Sequence, residues 1–167
     1  MSYTTALGVA PDRQPVVLAE FRNAHGWSPS IWSRLAGKDW FRIEGAELNR
    51  MWRSIETLPE WQQIPLLLTF DTGVIPFQEY AAAALALDEF ERRLPERASY
   101  VNHVPAVADL LRSCPEAPFF GIYGTSVSEN PFDPWDYEAD DHGSGIPLSG
   151  MYVLERHRHH LAATSPR

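Results

Sequence analysis

Apolar residues follow two patterns in this chain, a helical spacing that returns in several segments and short unbroken runs between turn residues. Val16, Val17 and Leu18 begin a run that predicts a strand ending near Phe21. Ser28-Pro29 is a helix start, because serine accepts from an orphan N–H and proline is pre-set for the first helical position. The helix it opens, Pro29 to Leu35, is expected to bury Ile31, Trp32 and Leu35 and to stop at Gly37. A longer amphipathic helix is predicted from Glu44 to Leu58, with Leu48, Met51, Trp52, Ile55 and Leu58 forming its stripe before Pro59.

Leu66 to Phe70 is continuously apolar and is expected to be a buried strand, with Asp71-Thr72-Gly73 as its turn. Gln78 to Leu94 is Ala-rich and places Tyr80, Leu87, Phe90 and Leu94 on a helical face that ends at Pro95. Val101 to Leu111 repeats the pattern through Val104, Val107, Leu110 and Leu111, with Pro105 tolerated in the first turn. Phe119 to Val127 is expected to be a strand that contains Gly121 and Gly124.

From 128 to 150 the periodicity gives way to Pro, Gly, Asp and Ser, which predicts a long loop of the kind that serves a function or is disordered. Met151 to Leu154 resumes structure as a closing strand or a helix start. The first fifteen residues are polar and carry prolines, so 1–15 is expected to be a flexible arm, 16–161 one globular domain and 162–167 a frayed tail. The order of elements gives an α+β domain, with a small sheet of about 3–5 strands packed against several amphipathic helices.

At 167 residues the chain can bury a core without disulfide or metal. Cys114 is the only cysteine, which rules out an intrachain disulfide and a Cys-rich zinc site and fits a reducing, cytoplasmic setting. No run approaches the ~20 apolar residues of a membrane helix, and the N-terminus lacks the order of a signal peptide. A net charge of −8 and a single lysine, Lys38, argue against nucleic acid as a partner.

That charge is unevenly spread. No basic residue stands between Arg112 and Arg156, whereas Glu116, Glu129, Asp133, Asp136, Glu138, Asp140, Asp141 and Glu155 do, and the rest of the chain is balanced. Six of those acids are interleaved with Phe132, Trp135 and Tyr137, and solvated tails seldom carry such large apolar groups. Glu129, Asp133, Trp135, Asp136, Tyr137, Glu138, Asp140 and Asp141 therefore read as a surface made to be covered by a basic protein, with the aromatic groups as anchors. An ordinary solvated loop is the competing reading. Calcium is disfavoured, because the spacing departs from the EF-hand loop.

Catalytic alternatives have weaker signatures. His157 and His160, three apart near His159, would share a helical face and could join Asp140 in a metal-assisted hydrolase, against the simpler reading of a solvated polar cluster. His25, His103, Asp71 and Ser126 would form a coherent acid–base and nucleophile set if they met, but no motif joins them and GxSxG is missing. Gly121 to Ser126 lacks the Lys-Ser/Thr ending of a phosphate loop.

The tract Glu129-Asn130-Pro131-Phe132-Asp133-Pro134-Trp135-Asp136-Tyr137-Glu138, the Trp-bearing amphipathic helices and the lack of an active-site signature together make the chain resemble bacterial immunity proteins, which neutralise a cognate toxin. The resemblance implies a non-catalytic, cofactor-free cytoplasmic inhibitor that occludes a basic toxin enzyme, many such toxins being cationic nucleases. Immunity proteins share no single fold, so it implies no fold and transfers no residue. The alternatives are the metal-assisted hydrolase and a regulatory adaptor that uses the same loop.

Overall fold

In the computed structural model, which describes residues 2–96, 101–113, 115–124 and 130–164, the first strand lies where a flexible arm was expected. β1, Tyr3–Ala10, is an interior strand of a four-stranded antiparallel sheet ordered β2-β1-β4-β3, where β2 is Arg13–Arg22, β3 Val74–Pro76 and β4 Phe119–Gly124. Pro11 and Asp12 turn the chain directly from β1 into β2. The segment looked like an arm because it is polar and carries prolines, but its small residues suit an interior strand covered on both faces. A Cβ on Gly8, for instance, would come within 2.8 Å of the Ala117 Cβ.

Alternation along the strands divides the core in two. Ala6, Ile75, Phe120 and Ile122 face a large cluster supplied by the helices, while Leu7, Val9, Val74 and Phe119 face a smaller cluster with Phe132, Leu148, Met151 and Val153. The sheet is thus covered by helices on one face and by the chain after β4 on the other.

The helical layer comprises α1, Ser28–Ala36; α2, Gly45–Arg53; α3, Glu60–Leu67; α4, Tyr80–Arg93; and α5, Val104–Arg112. α1 begins and ends as expected, with Pro29 in its first turn and Gly37 left-handed at φ 66° after it. The helix predicted over Glu44 to Leu58 is shorter, ending at Arg53 and followed by a 3₁₀ turn, Ile55–Thr57. None of α2 is fully buried, although Trp52 stacks on Phe70 at 3.7 Å between ring centroids and meets Tyr152 at 4.8 Å.

Leu66 to Phe70 corrects the expected strand. These residues finish α3 and turn out of it, with Leu66, Leu67 and Leu68 fully buried. An unbroken apolar run has no period, so it suits a helix enclosed on all sides as well as an interior strand. Two indoles of the α1 region satisfy groups at this turn: Trp27 Nε1 donates to the Leu68 carbonyl at 2.7 Å, and Trp32 Nε1 donates to Thr69 Oγ1 at 2.9 Å. The first of these bonds satisfies a buried carbonyl at the end of α3, and together they tie the α1 region to that turn.

Beyond β4 the chain forms a two-stranded ribbon, β5, Trp135–Asp136, with β6, Asp141–His142. Tyr152 then makes a parallel bridge to Gly73, with its N–H donating to the Thr72 carbonyl at 2.9 Å, and extends the β3 edge. Glu56 Oε1 holds this return by accepting from the Tyr152 hydroxyl at 2.8 Å and from the Glu155 N–H at 3.0 Å. Burial and this carboxylate push the Tyr152 hydroxyl up to about 12. The last element, α6, is Arg158–Thr164, so the helix runs past Ala162, where a frayed tail was expected. Among the described residues no helix is long and apolar enough to cross a membrane.

Candidate functional site

The acidic tract is a hairpin anchored at its base and open at its tip. Phe132 is the anchor: it is buried in the smaller core cluster, and a Cβ on Gly121 of β4 would lie 2.9 Å from its Cζ. Gly145 passes so close over the Phe132 carbonyl that any side chain there would collide with it. Around this contact the Ile146 N–H donates to the Pro131 carbonyl and the Gly143 N–H to that of Pro134, both at 2.8 Å. Asn130 Oδ1 accepts from the Phe132 N–H at 3.0 Å, an Asx turn that starts the fold-back. The described part of the loop expected over 128–150, from Asn130 onward, is therefore folded back on its base.

The tip follows from local bonding. Asp136 Oδ1 accepts from the N–H groups of Glu138 and Ala139, at 2.9 and 3.1 Å, which closes the turn between β5 and β6. Asp140 adopts the left-handed conformation at φ 53°, tolerated best by Asn, Asp and Gly. His142 Nδ1 lies 2.8 Å from Asp133 Oδ1, and the His142 ring meets Trp135 edge to face at 5.0 Å. The hairpin register sets Trp135 opposite His142, a contact that no spacing in the sequence signals.

Among the sequence-predicted residues, Trp135, Asp136, Tyr137, Glu138, Asp140 and Asp141 are all exposed and share this tip, whereas Asp133 is half-buried at its base. Glu129 lies outside the described residues, as do Cys114 and Ser126. Trp135 is 41% exposed and Tyr137 79%. Among the described residues Asp136, Glu138, Asp140 and Asp141 have no ion pair with a base, so their charge is uncompensated. A groove of about 410 Å³ runs between this segment and the β1–β2 turn, bounded by Arg13, Gln14, Phe132, His142, Gly145 and Ile146.

The histidines have other roles than those considered from the sequence. His157 is buried: its Nε2 accepts from Arg156 Nε at 3.0 Å, and its Nδ1 lies 3.6 Å from Glu79 Oε1. His157, His160 and Asp140 are not brought together as a metal set, since no group of three His, Cys, Asp or Glu among the described residues could hold an ion. His103 is buried beside Gly26, with Nε2 3.0 Å from the Arg22 carbonyl and its ring 5.3 Å from Phe21, so it ties the start of α5 to the end of β2. Its Nδ1 is buried without a partner.

Burial pushes both His103 and His157 below the ordinary histidine range. The unfolded chain then takes up these protons at a higher pH than the native state does. Stability is complete above the unfolded histidine value and is lost as pH falls from there through the native values. The urea midpoint is accordingly expected to drop between about pH 7.5 and about pH 5.5. In His103→Gln, whose amide can donate to the Arg22 carbonyl but does not titrate, the drop should be shallower, and an unchanged pH profile would remove His103 as a cause.

Comparison with protein-family models, with curated proteins and with solved structures finds no match to this chain.

Proposed function

We propose that this protein is a non-catalytic binding protein that uses the Trp135–His142 hairpin to cover a basic site on another protein, as an immunity or antitoxin-type inhibitor covers a toxin enzyme. The observation that carries this reading is the pairing of exposed Trp135 and Tyr137 with four exposed carboxylates that lack a basic counter-ion among the described residues. Unpaired like charges on one turn repel each other and gain nothing for folding. They would steer a cationic surface over a Debye length, ~8 Å at physiological salt, and lift association towards the order of 10⁸ M⁻¹s⁻¹ at low salt. Speed is the property an inhibitor of a lethal enzyme needs.

The hairpin is also preorganised. Its turn is closed by Asp136, and its base is fixed by Phe132 and Gly145, so little conformational entropy is lost when a partner docks. A rigid acidic tip with aromatic flanks suits a cleft that normally accepts phosphates. The hydrolase alternative has no assembled metal set among the described residues to rest on.

The test is capture from an extract of the native host by the immobilised chain, followed by binding kinetics of the captured protein at several salt concentrations. Replacing Asp136, Asp140 and Asp141 by Asn and Glu138 by Gln keeps the turn-closing acceptor at Asp136 and removes the charge. Association should slow by roughly 10-fold or more at low salt and lose most of its salt dependence, with the urea midpoint unchanged. Unaltered kinetics and salt slope would place the contact elsewhere, and capture of a non-basic protein would favour the adaptor.

A further inference from the structure

The β5–β6 ribbon pairs two residues with two, and a hairpin so short has little stability of its own. Its cross-strand pairs are unequal. Asp136 stands opposite Asp141, a like-charge pair of the kind that weakens a ribbon, and Trp135 stands opposite His142. Alternation puts these pairs on opposite faces. Asp136 is engaged in closing the turn, and Asp141 Oδ1 accepts from the His142 N–H at 2.7 Å, so neither carboxylate binds the strand across from it. Attraction between side chains across the ribbon is left to the other face.

There Asp133, two residues before Trp135, meets the same imidazole. His142 Nδ1 is 2.8 Å from Asp133 Oδ1, and the ring meets the Trp135 indole edge to face at 5.0 Å, with 81° between the planes. Asp133 Oδ1 is buried, and among the described residues no other donor reaches it. A carboxylate oxygen only accepts, and a buried one without a donor has lost its water for nothing. The imidazole meets that need when Nδ1 carries the proton, which selects the tautomer and holds the ring. An edge-to-face contact prefers one relative orientation, so a ring that is held sets the indole in turn.

We propose that Asp133 is a positioning residue of the hairpin: it holds the His142 ring, and that ring holds the Trp135 indole in the orientation a partner meets. This role rests on the reading of Trp135 as an anchor. It also separates Asp133 from Asp136, Glu138, Asp140 and Asp141, which are exposed and face outward, whereas the Asp133 side chain is 23% exposed and turned toward His142.

A brace for the hairpin base is the simpler role for a half-buried aspartate. The base, however, has ties of its own in the buried Phe132 ring, the Asn130 Asx turn and the Ile146 N–H bond to the Pro131 carbonyl, and none of these reaches the indole. The ring contact found for Trp135 is with His142. An anchor kept in one orientation before docking loses less rotamer freedom on binding, which is the advantage the Asp133–His142 pair confers.

The experiment is NMR relaxation of the Trp135 indole N–H in the free full chain, the signal being the one lost in Trp135→Phe. Asp133→Ala and, separately, His142→Ala should each release the indole, seen as a fall of its order parameter towards the flexible range, while the Phe132 and Ile146 amides at the base keep theirs. The double variant should lose no more than either single one, because both break the same chain of contacts. Asp133→Asn keeps an acceptor oxygen for the imidazole N–H and should retain the order. The role is overturned if Asp133→Ala leaves the indole as ordered as before, if the two losses add, if Asp133→Asn behaves like Asp133→Ala, or if the base amides loosen together with the indole, which would make Asp133 a brace of the fold. No partner enters this measurement, so its failure strikes the positioning role alone, whereas failure of the binding reading shows as unchanged dissociation of the captured protein from Trp135→Ala.

Discussion

Phe132→Ala is expected to destabilise the protein by about 3–5 kcal/mol, the range for emptying a buried aromatic site. Phe132 is only 5% exposed, and its ring lies over Gly121, where an added Cβ would meet it at 2.9 Å. Its loss removes an apolar contact between the hairpin base and the second face of the sheet, where it covers Leu7, Val9, Val74 and Phe119 together with Leu148, Met151 and Val153. The damage should be local as well as global. Amide exchange at Gly143 and Ile146, whose N–H groups are bonded around Phe132, should accelerate more than exchange in α4 and α5. Urea unfolding and hydrogen exchange on the same variant measure both. A loss below about 1 kcal/mol would mean that the hairpin is not anchored through this ring, and that its order has another source.

Phe132 also marks where the sequence could and could not be read. The helices were legible because their stripes repeat: Ile31 after Ser28-Pro29, Leu87 and Phe90 before Pro95, and Val104, Val107 and Leu111 all lie in the helix-side core. The α+β class followed from those helices and from the Val16 and Phe119 runs, which supply β2 and β4, while the other two strands of the sheet, β1 and β3, were not expected. β1 was not legible, since Thr4, Thr5, Ala6 and Gly8 carry little apolar surface and acquire their burial only from partners distant in sequence. Leu66 to Phe70 was misread because full burial erases the period that separates helix from strand.

The candidate site divides in the same way. Charge and exposure at Asp136 to Asp141 are properties of the local sequence and could be seen in it. Phe132 looked like one more aromatic of the acidic tract, and only its pairing with Gly121 and Gly145, 11 and 13 residues away, separates it from Trp135 and Tyr137.

Trp135→Ala should behave in the opposite manner to Phe132→Ala, leaving unfolding nearly unchanged while weakening binding of the captured partner by about 2 kcal/mol or more, the threshold of an anchor residue. The indole is 41% exposed, and the contact found for it is with the half-exposed His142 ring, so little buried area is lost with it in the free protein. In a complex the same ring would be enclosed between carboxylates that hold a cationic surface around it, and a desolvated indole next to Lys or Arg gains both area and cation–π attraction. The effect should appear in dissociation more than in association, because steering depends on Asp136, Glu138, Asp140 and Asp141, which the substitution leaves in place. Tyr137→Ala on the same hairpin gives an internal comparison: at 79% exposure it should be equally silent in folding. If Trp135→Ala instead lowered the urea midpoint severely and left partner dissociation unchanged, the indole would belong to the core and the acidic hairpin would be an ordinary surface.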